Sequence, residues 1–321
     1  MKKAGKTIIL IIIGLLVILA GVTVIRQWNK FDAPYPDIKA SKVPEVITRG
    51  QYLVTATAHC SDCHSSPNNI SLVNNGDVAE LSGGKEFNLP IGKITSPNIT
   101  SDKLTGIGNL SDKEIARALR FGVGHDGRAL FPFMNYQDLT NEDLTAIISY
   151  IRTLPPQHND VKIRNFNLLG YIANAFLIKP VGPSAPSRDT LHRDTTVAYG
   201  KYLALNVSGC RDCHTNRNLQ TGEFTGPEYA GGFHMESDTD PKHYECITPN
   251  LTSDNSTGVL ANWSENAFIN RFKAGKVISH SPMPWGPFKR IEDNDLKAIY
   301  KFLKTLSPIK NSIPNTLVKL K

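Results

Sequence analysis

From residue 45 onward the chain is written twice. "RGQYLVTATAHCSDCHSSPN" (49–68) returns as "YGKYLALNVSGCRDCHTNRN" (199–218), and "SPNITSDKLTG" (96–106) returns as "TPNLTSDNSTG" (248–258). "LSDKEIARALRFG" (110–122) returns as "WSENAFINRFKAG" (263–275), and "NEDLTAIISYIRTLPP" (141–156) as "DNDLKAIYKFLKTLSP" (293–308). Four blocks in one order, offset by about 150 residues, restrict the fold to two copies of one unit. The boundaries that follow are a first domain over 45–156, a connector over 157–192, a second domain over 193–310 and a tail over 311–321. Both copies read as helical. Ile115 and Leu119, like Phe268 and Phe272, stand at i, i+4. Leu144, Ile147, Ile148 and Ile151 form an apolar face ended by Pro155, which Leu296, Ile299, Phe302 and Leu303 repeat before Pro308. No segment alternates as a strand, so the expected class is all-α. The long Gly/Pro/Asn/Ser stretch over 65–109 is unusual for a small domain unless it has something to pack on.

Ahead of the repeats, "TIILIIIGLLVILAGVTVI" (7–25) carries no charge, which suits a helix crossing a bilayer core. Lys2, Lys3 and Lys6 before it predict a cytoplasmic N-terminus and an exported body. Ile18 and Leu19 before Ala20 make a poor cleavage site, so an uncleaved anchor over 1–25 is expected in place of a signal peptide. The segment 26–44, rich in proline and charge, reads as a linking stalk. The formal charge of +7 falls to about +4 without those three lysines, and no basic block is interleaved with aromatics. Nucleic-acid binding is not expected.

Each copy holds one C-x-x-C-H: Cys60, Cys63, His64 and Cys210, Cys213, His214. Two thiols and an imidazole at that spacing can hold zinc, form a redox disulfide or carry covalent haem c. Zinc needs a fourth ligand, and none repeats between the copies. A redox pair belongs after a strand of a βαβ unit, which is absent here. On an exported, duplicated chain the pattern is the haem attachment signature, with both thiols on one porphyrin edge and the histidine on its iron. Two covalently bound haems c are expected. A haem also supplies the core that the long loops lack, and four propionates roughly cancel the remaining positive charge.

For the opposite iron face, Met134 lies 70 residues after His64 and Met283 lies 69 after His214, each in a Pro-rich loop between two helices. Their shared repeat position outweighs core filling, the usual role of a lone methionine. Iron ligands are therefore expected at His64, Met134, His214 and Met283, with His125 and His280 as weaker rivals for the Met positions. Met235 has no counterpart and reads as structural. A His/Met pair raises the potential, fills all six coordination positions, and suits one-electron transfer better than oxygen or peroxide chemistry. The carbonyls of Pro97 and Pro249, which open the repeated Pro-Asn block, are placed to accept from the ligand histidines, though each proline equally suits a plain turn. Arg117, Arg120, Arg271 and Lys273 read as solvated surface or propionate partners. His59, His158, His192, His234 and His243 read as ordinary surface or loop residues. The odd Cys246 reads as a buried thiol, and 166–178 as a helix packed over both domains.

"NRNLQTGEFTGPEYAGGF", "SPNITSDKLTGIG" and "GVGHDGRALFPFMNY" resemble the cytochrome subunits of membrane-bound bacterial alcohol, gluconate and aldehyde dehydrogenases over roughly 45–310. The resemblance implies two class I cytochrome c domains, with Cys60, Cys63, His64 and Met134 serving one haem and Cys210, Cys213, His214 and Met283 the other. It implies a dehydrogenase as electron donor and a quinone, cytochrome or oxidase as acceptor. Those subunits commonly carry three haem motifs where this sequence has two. The expected role is a membrane-anchored periplasmic carrier with no catalytic residues of its own. The alternatives are a dihaem peroxidase, or a carrier between a quinol-oxidising complex and a terminal oxidase.

Overall fold

The computed structural model describes residues 2–218 and 223–320. Four residues of the quoted stretch after Cys213, 219–222, lie outside the described residues, as do 1 and 321. A single long helix, α1 (Lys2–Arg26), opens the chain, and its apolar part spans Gly5–Arg26 with nearly every side chain exposed. At 1.5 Å per residue those 22 residues reach about 33 Å, enough for a hydrocarbon core near 30 Å.

The two repeats fold alike. In the first, α2 (Pro44–Tyr52) runs through a π-helical turn, Leu53–Thr57, into the one-turn α3 (Cys60–His64). The short α4 (Ile70–Asn75), α5 (Asp112–Phe121) and α6 (Asn141–Ile151) follow. A capping box between Ser111 and Glu114 starts α5, and Gly122 at φ 62° ends it. After α7 (Leu168–Phe176), the second repeat gives α8 (Val197–Tyr202), a π-helical turn Leu203–Val207, α9 (Cys210–His214), α10 (Glu265–Lys273), α11 (Trp285–Phe288) and α12 (Asp293–Lys304). In both copies the N-terminal and C-terminal helices cross at a glycine: a Cβ on Gly50 would stand 1.9 Å from the Ala146 carbonyl oxygen, and one on Gly200 1.8 Å from that of Ala298.

The chain is mostly helical but not all-α. Each copy carries a three-stranded antiparallel sheet: β1 (Glu86–Leu89), β2 (Gly92–Thr95) and β3 (Arg164–Phe166) in the first, β4 (His234–Glu236), β5 (Tyr244–Ile247) and β6 (Leu317–Lys319) in the second. Three or four residues are too few to display a period of two, and each hairpin is completed by a strand beyond its copy's last helix. The stretch 65–109 is therefore built from α4, a hairpin and tight turns.

The segment before α2 is strapped to the first copy and is no free stalk. Phe31 N–H donates to Gly127 O at 2.7 Å, Ala40 N–H to Asp112 Oδ2 at 2.7 Å and Ser41 N–H to Ser149 Oγ at 2.7 Å, while Ile38 is buried. Likewise α7 does not bridge the copies. It lies against β3 and the last turn of α1, where Arg26 Nε donates to Ala175 O at 2.8 Å and Gln27 Nε2 to Tyr171 O at 2.8 Å.

The hydrophobic core runs without a break through both copies. At their junction Tyr52 hydroxyl donates to Asp295 Oδ2 at 2.7 Å and accepts from Glu292 N–H at 3.1 Å. Its counterpart Tyr202 donates to Asp143 Oδ2 at 2.8 Å and accepts from Thr140 N–H at 3.2 Å. The exchange is reciprocal, the mark of a pseudo-twofold interface. Only the first copy adds Arg49, buried and paired with Asp143 Oδ1 at 2.9 Å.

Candidate functional site

Each Cys-x-x-Cys-His sits on its one-turn helix after a reversal through the left-handed region, at His59 (φ 39°) in the first copy and Gly209 (φ 62°) in the second. That reversal turns the chain out of the π-helical turn and places both thiols and the histidine along one short arc. The thiols are strongly desolvated. Burial, the largest cause in each case, pushes Cys60 and Cys210 up to about 12 and Cys63 and Cys213 up to about 11. A redox cysteine pair needs the opposite shift, toward a stable thiolate. Among the described residues no disulfide joins the cysteines, and no group of three or more His, Cys, Asp or Glu side chains is arranged to hold a metal ion.

The histidines carry the decisive feature. His64 Nδ1 lies 2.9 Å from Pro97 O, and His214 Nδ1 lies 3.0 Å from Pro249 O. A carbonyl only accepts, so Nδ1 bears the proton in both rings and Nε2 keeps its lone pair. Burial lowers both imidazole pKa values, which favours the neutral ring. A buried, neutral imidazole with Nδ1 pinned and Nε2 available is what an axial iron ligand requires. The expected proline contacts are present.

What holds the proline carbonyls is the repeated Asn-x-Thr. Asn98 Oδ1 accepts from Thr100 N–H at 2.9 Å and from Thr100 hydroxyl at 2.7 Å, and its amide donates to Thr105 Oγ1 and Gln157 O. Asn250 repeats this set with Thr252, Thr257 and Ile309 O. Asn98, Thr100, Asn250 and Thr252 are each about 1% exposed. Gly83 and Gly231 complete the cradle. Their N–H groups donate to the carbonyls of His64 and His214 at 2.6 and 2.8 Å, and a Cβ on either would stand 2.5 Å from the ligand-facing proline's carbonyl carbon. The repeated Gly-Gly pairs, 83–84 and 231–232, were the available sequence signal for these two residues.

Met134 and Met283 both pack, half-buried, on the shared core. Tyr136 hydroxyl donates to Ala58 O, tying the Met134 loop to the turn before Cys60. Trp285 N–H donates to Met283 O at 2.7 Å at the start of α11. The loops also reach across the interface. Asn135 Nδ2 donates to Leu205 O at 2.9 Å beside Gly209, and Phe288 meets the His59 ring edge-on at 5.2 Å. The Cys213 sulfur is near enough to contribute to the Cys63 shift.

Several readings change. Arg117 and Arg120 are buried, not solvated. Arg117 Nη2 donates to Phe31 O at 2.9 Å and Arg120 Nη1 to Leu139 O at 2.6 Å, because loop carbonyls facing α5 need donors. Lys273 donates to Ile291 O at 2.6 Å. His59 belongs to the interface, not to the surface. His280 stacks on Tyr244 with ring centroids 4.2 Å apart, its Nδ1 facing Thr239 Oγ1 at 3.0 Å. Cys246 is buried and donates to His280 O at 3.1 Å, opposite Met235 in the strand register.

The residues fit a haem on a further observation. Among the described residues, buried side-chain donor atoms without a protein partner include Ser65 Oγ and Arg128 Nε in the first copy, and Ser208 Oγ, Arg217 Nε, Arg271 Nη2 and the Tyr229 hydroxyl in the second. Such atoms are rare in finished interiors, and porphyrin carboxylates are natural acceptors for them.

No family model matches the chain. It is 30% identical over 294 residues, 84% of its length and 58% of the relative's, to the cytochrome c subunit of a quinone-dependent alcohol dehydrogenase from Gluconacetobacter polyoxogenes. It is 29% identical over 308 residues to the fructose dehydrogenase cytochrome subunit of Gluconobacter japonicus, covering 90% of this chain and 57% of that one. A diheme cytochrome c-type protein of Cereibacter sphaeroides matches at 25% identity over 85% of this chain and 90% of its own. The chain is a c-type cytochrome. This cytochrome spans little more than half the length of the dehydrogenase subunits it matches, and its prosthetic group is covalently bound haem c.

Proposed function

We propose that this cytochrome is a membrane-anchored, extracytoplasmic electron carrier with two His/Met-ligated haems, taking electrons singly from a dehydrogenase partner and passing them to the respiratory chain. The observation that carries the reading is the twice-repeated histidine whose Nδ1 is held by a proline carbonyl while Nε2 is left to a metal. Haem iron, alternating between ferric and ferrous, supplies the one-electron chemistry. The chain's residues do the rest. Cys60, Cys63, Cys210 and Cys213 would fix the groups covalently, and His64 and His214 would each supply an iron ligand. Met134 and Met283 would complete the ligand sets, so that water and peroxide would find no open position. The Asn98 and Asn250 networks keep the ligand rings from reorganising as charge changes.

Each repeat is read as a class I cytochrome c domain, with Cys60, Cys63, His64 and Met134 serving one haem and Cys210, Cys213, His214 and Met283 the other. The first spans 45–156 and the second 193–310, each extended by its sheet's last strand. Contacts of Asn135 with Leu205 and of Phe288 with His59 bring each methionine loop to the other copy's attachment turn, which supports electron passage between the two sites inside one chain. Specific bonds from Arg26 and Gln27 to α7 support retention of α1 in the mature protein as the anchor.

The test is the weak long-wavelength methionine–iron(III) charge-transfer band of the oxidised protein. It is expected at the strength of two haems, halved in Met134→Ala and in Met283→Ala and absent in the double variant. A band at single strength, with a high-spin haem that responds to peroxide, would overturn the carrier assignment for that site and favour a peroxidase.

A further inference from the structure

The helix α7 is built inside out. Its inward face is made of small residues, Gly170, Ala173 and Ala175, all buried. A Cβ on Gly170 would stand 2.0 Å from Ile91 O, so the helix backbone is pressed onto the β1–β2 turn. Four large apolar residues on it and at its end are exposed, Leu168 at 78%, Leu169 at 53%, Tyr171 at 48% and Leu177 at 68%, while Ile172 and Phe176 are half-buried. A helix on a soluble protein carries the reverse pattern, with bulky side chains inward and charge outward. The run Asn167–Ile178 holds no charged residue at all.

What covers this face follows from where α7 is bolted. Arg26 Nε donates to Ala175 O, Gln27 Nε2 to Tyr171 O and Asn174 Nδ2 to Gln27 Oε1 at 2.9 Å, while Arg26 lies over the Phe176 ring at 5.0 Å. All four contacts engage the last turn of α1 and the residue after it, the level at which the apolar span Gly5–Arg26 ends. Ile25 and Trp28, 71% and 73% exposed, flank the same junction. Trp, Tyr and Arg gathered where an apolar span ends are the residues of a membrane–water interface.

We infer that α7 is a second membrane contact, its Leu168–Leu169–Leu177 face seated in the headgroup and upper acyl region of the bilayer that α1 crosses. The inference rests on the anchoring role of α1 proposed above. Two contacts, unlike one, fix orientation: the first copy is held with β3 and the β1–β2 turn toward the lipid. An aromatic series continues from there, Tyr171 to Phe166 at 5.8 Å, Phe166 to Phe131 at 6.1 Å and Phe131 to Phe133 at 5.9 Å, reaching the loop that carries Met134. The first site is thereby the one nearer the membrane.

Variants of the full chain that carry Cys246→Ser and one introduced cysteine, in phosphatidylcholine nanodiscs, test this with a charged, membrane-impermeant maleimide read by intact mass. Leu168→Cys and Leu177→Cys should label at least about tenfold more slowly than Leu104→Cys and Val277→Cys, exposed reference positions remote in sequence, with Val17→Cys marking the span. An unchanged visible spectrum certifies folding of each variant. Labelling at 168 and 177 as fast as at 104, with Val17→Cys protected, overturns the inference and leaves the anchor standing; that outcome points to a protein partner on α7. Rapid labelling at Val17→Cys as well overturns the anchor and this inference together.

Discussion

Around His64 and His214 the loops are shaped by polar side chains that do not touch the rings themselves. Asp254 accepts from Thr257 N–H at 2.7 Å, Thr257 hydroxyl at 2.6 Å, Ser256 hydroxyl at 2.9 Å and Ser256 N–H at 3.1 Å, closing the loop that carries Pro249. The hydroxyls of Thr257 and Ser256 are the leading cause of a carboxyl held at about 2, below the ordinary 3.8. A lowered folded-state pKa adds stability above 3.8 that is lost as the pH falls toward 2. Asp254→Ala should therefore unfold at lower urea than wild type at neutral pH, and the gap should narrow between these two values. A gap independent of pH would refute the role given to the carboxylate. In the sequence the two Cys-x-x-Cys-His motifs and the methionines at 134 and 283 stand out because they recur at matching positions of the repeat. The roles of Asn98 and Gly83 were not legible, because their work is to position a carbonyl, which any residue has.

Among the elements, the main helices could be read from the sequence and the strands could not. Apolar spacing over ten or more residues marks α6 and α12, and duplication doubles the signal. The strands are three or four residues long, and β3 and β6 return from beyond the last helix of each copy, a tertiary pairing with no local pattern. The segment 26–44 reads as a linker by composition, yet backbone donors fasten it, with Ile38 its single buried apolar residue. The helix crossings at Gly50 and Gly200 are the sharpest element-level test, because backbone lies under 2 Å from either missing Cβ. Gly50→Ala and Gly200→Ala should each cost about 1–3 kcal/mol through overpacking, seen as a lowered unfolding midpoint. A neutral alanine at either position would mean that the two helices are not in such close contact.

For the whole molecule, duplication has produced two sites and also the surface that joins them. Tyr52 and Tyr202 reach the N-termini of α12 and α6 in the opposite copy, and Asp295 and Asp143 receive their hydroxyls. The sequence displays these residues at matching positions but cannot show that each bonds the other copy. On the function proposed above, the interface would set two closed, covalently held redox sites side by side, with a membrane-bound helix at one end. On the proposed ligation both irons are shut to exogenous ligands, and carbon monoxide added to the fully reduced, full-length protein probes this. No change is expected in the Soret or visible bands of either haem in the wild type, with CO binding to one haem in Met134→Ala and to the other in Met283→Ala. Prompt CO binding to a wild-type haem would contradict it, because that iron would then be open for catalysis.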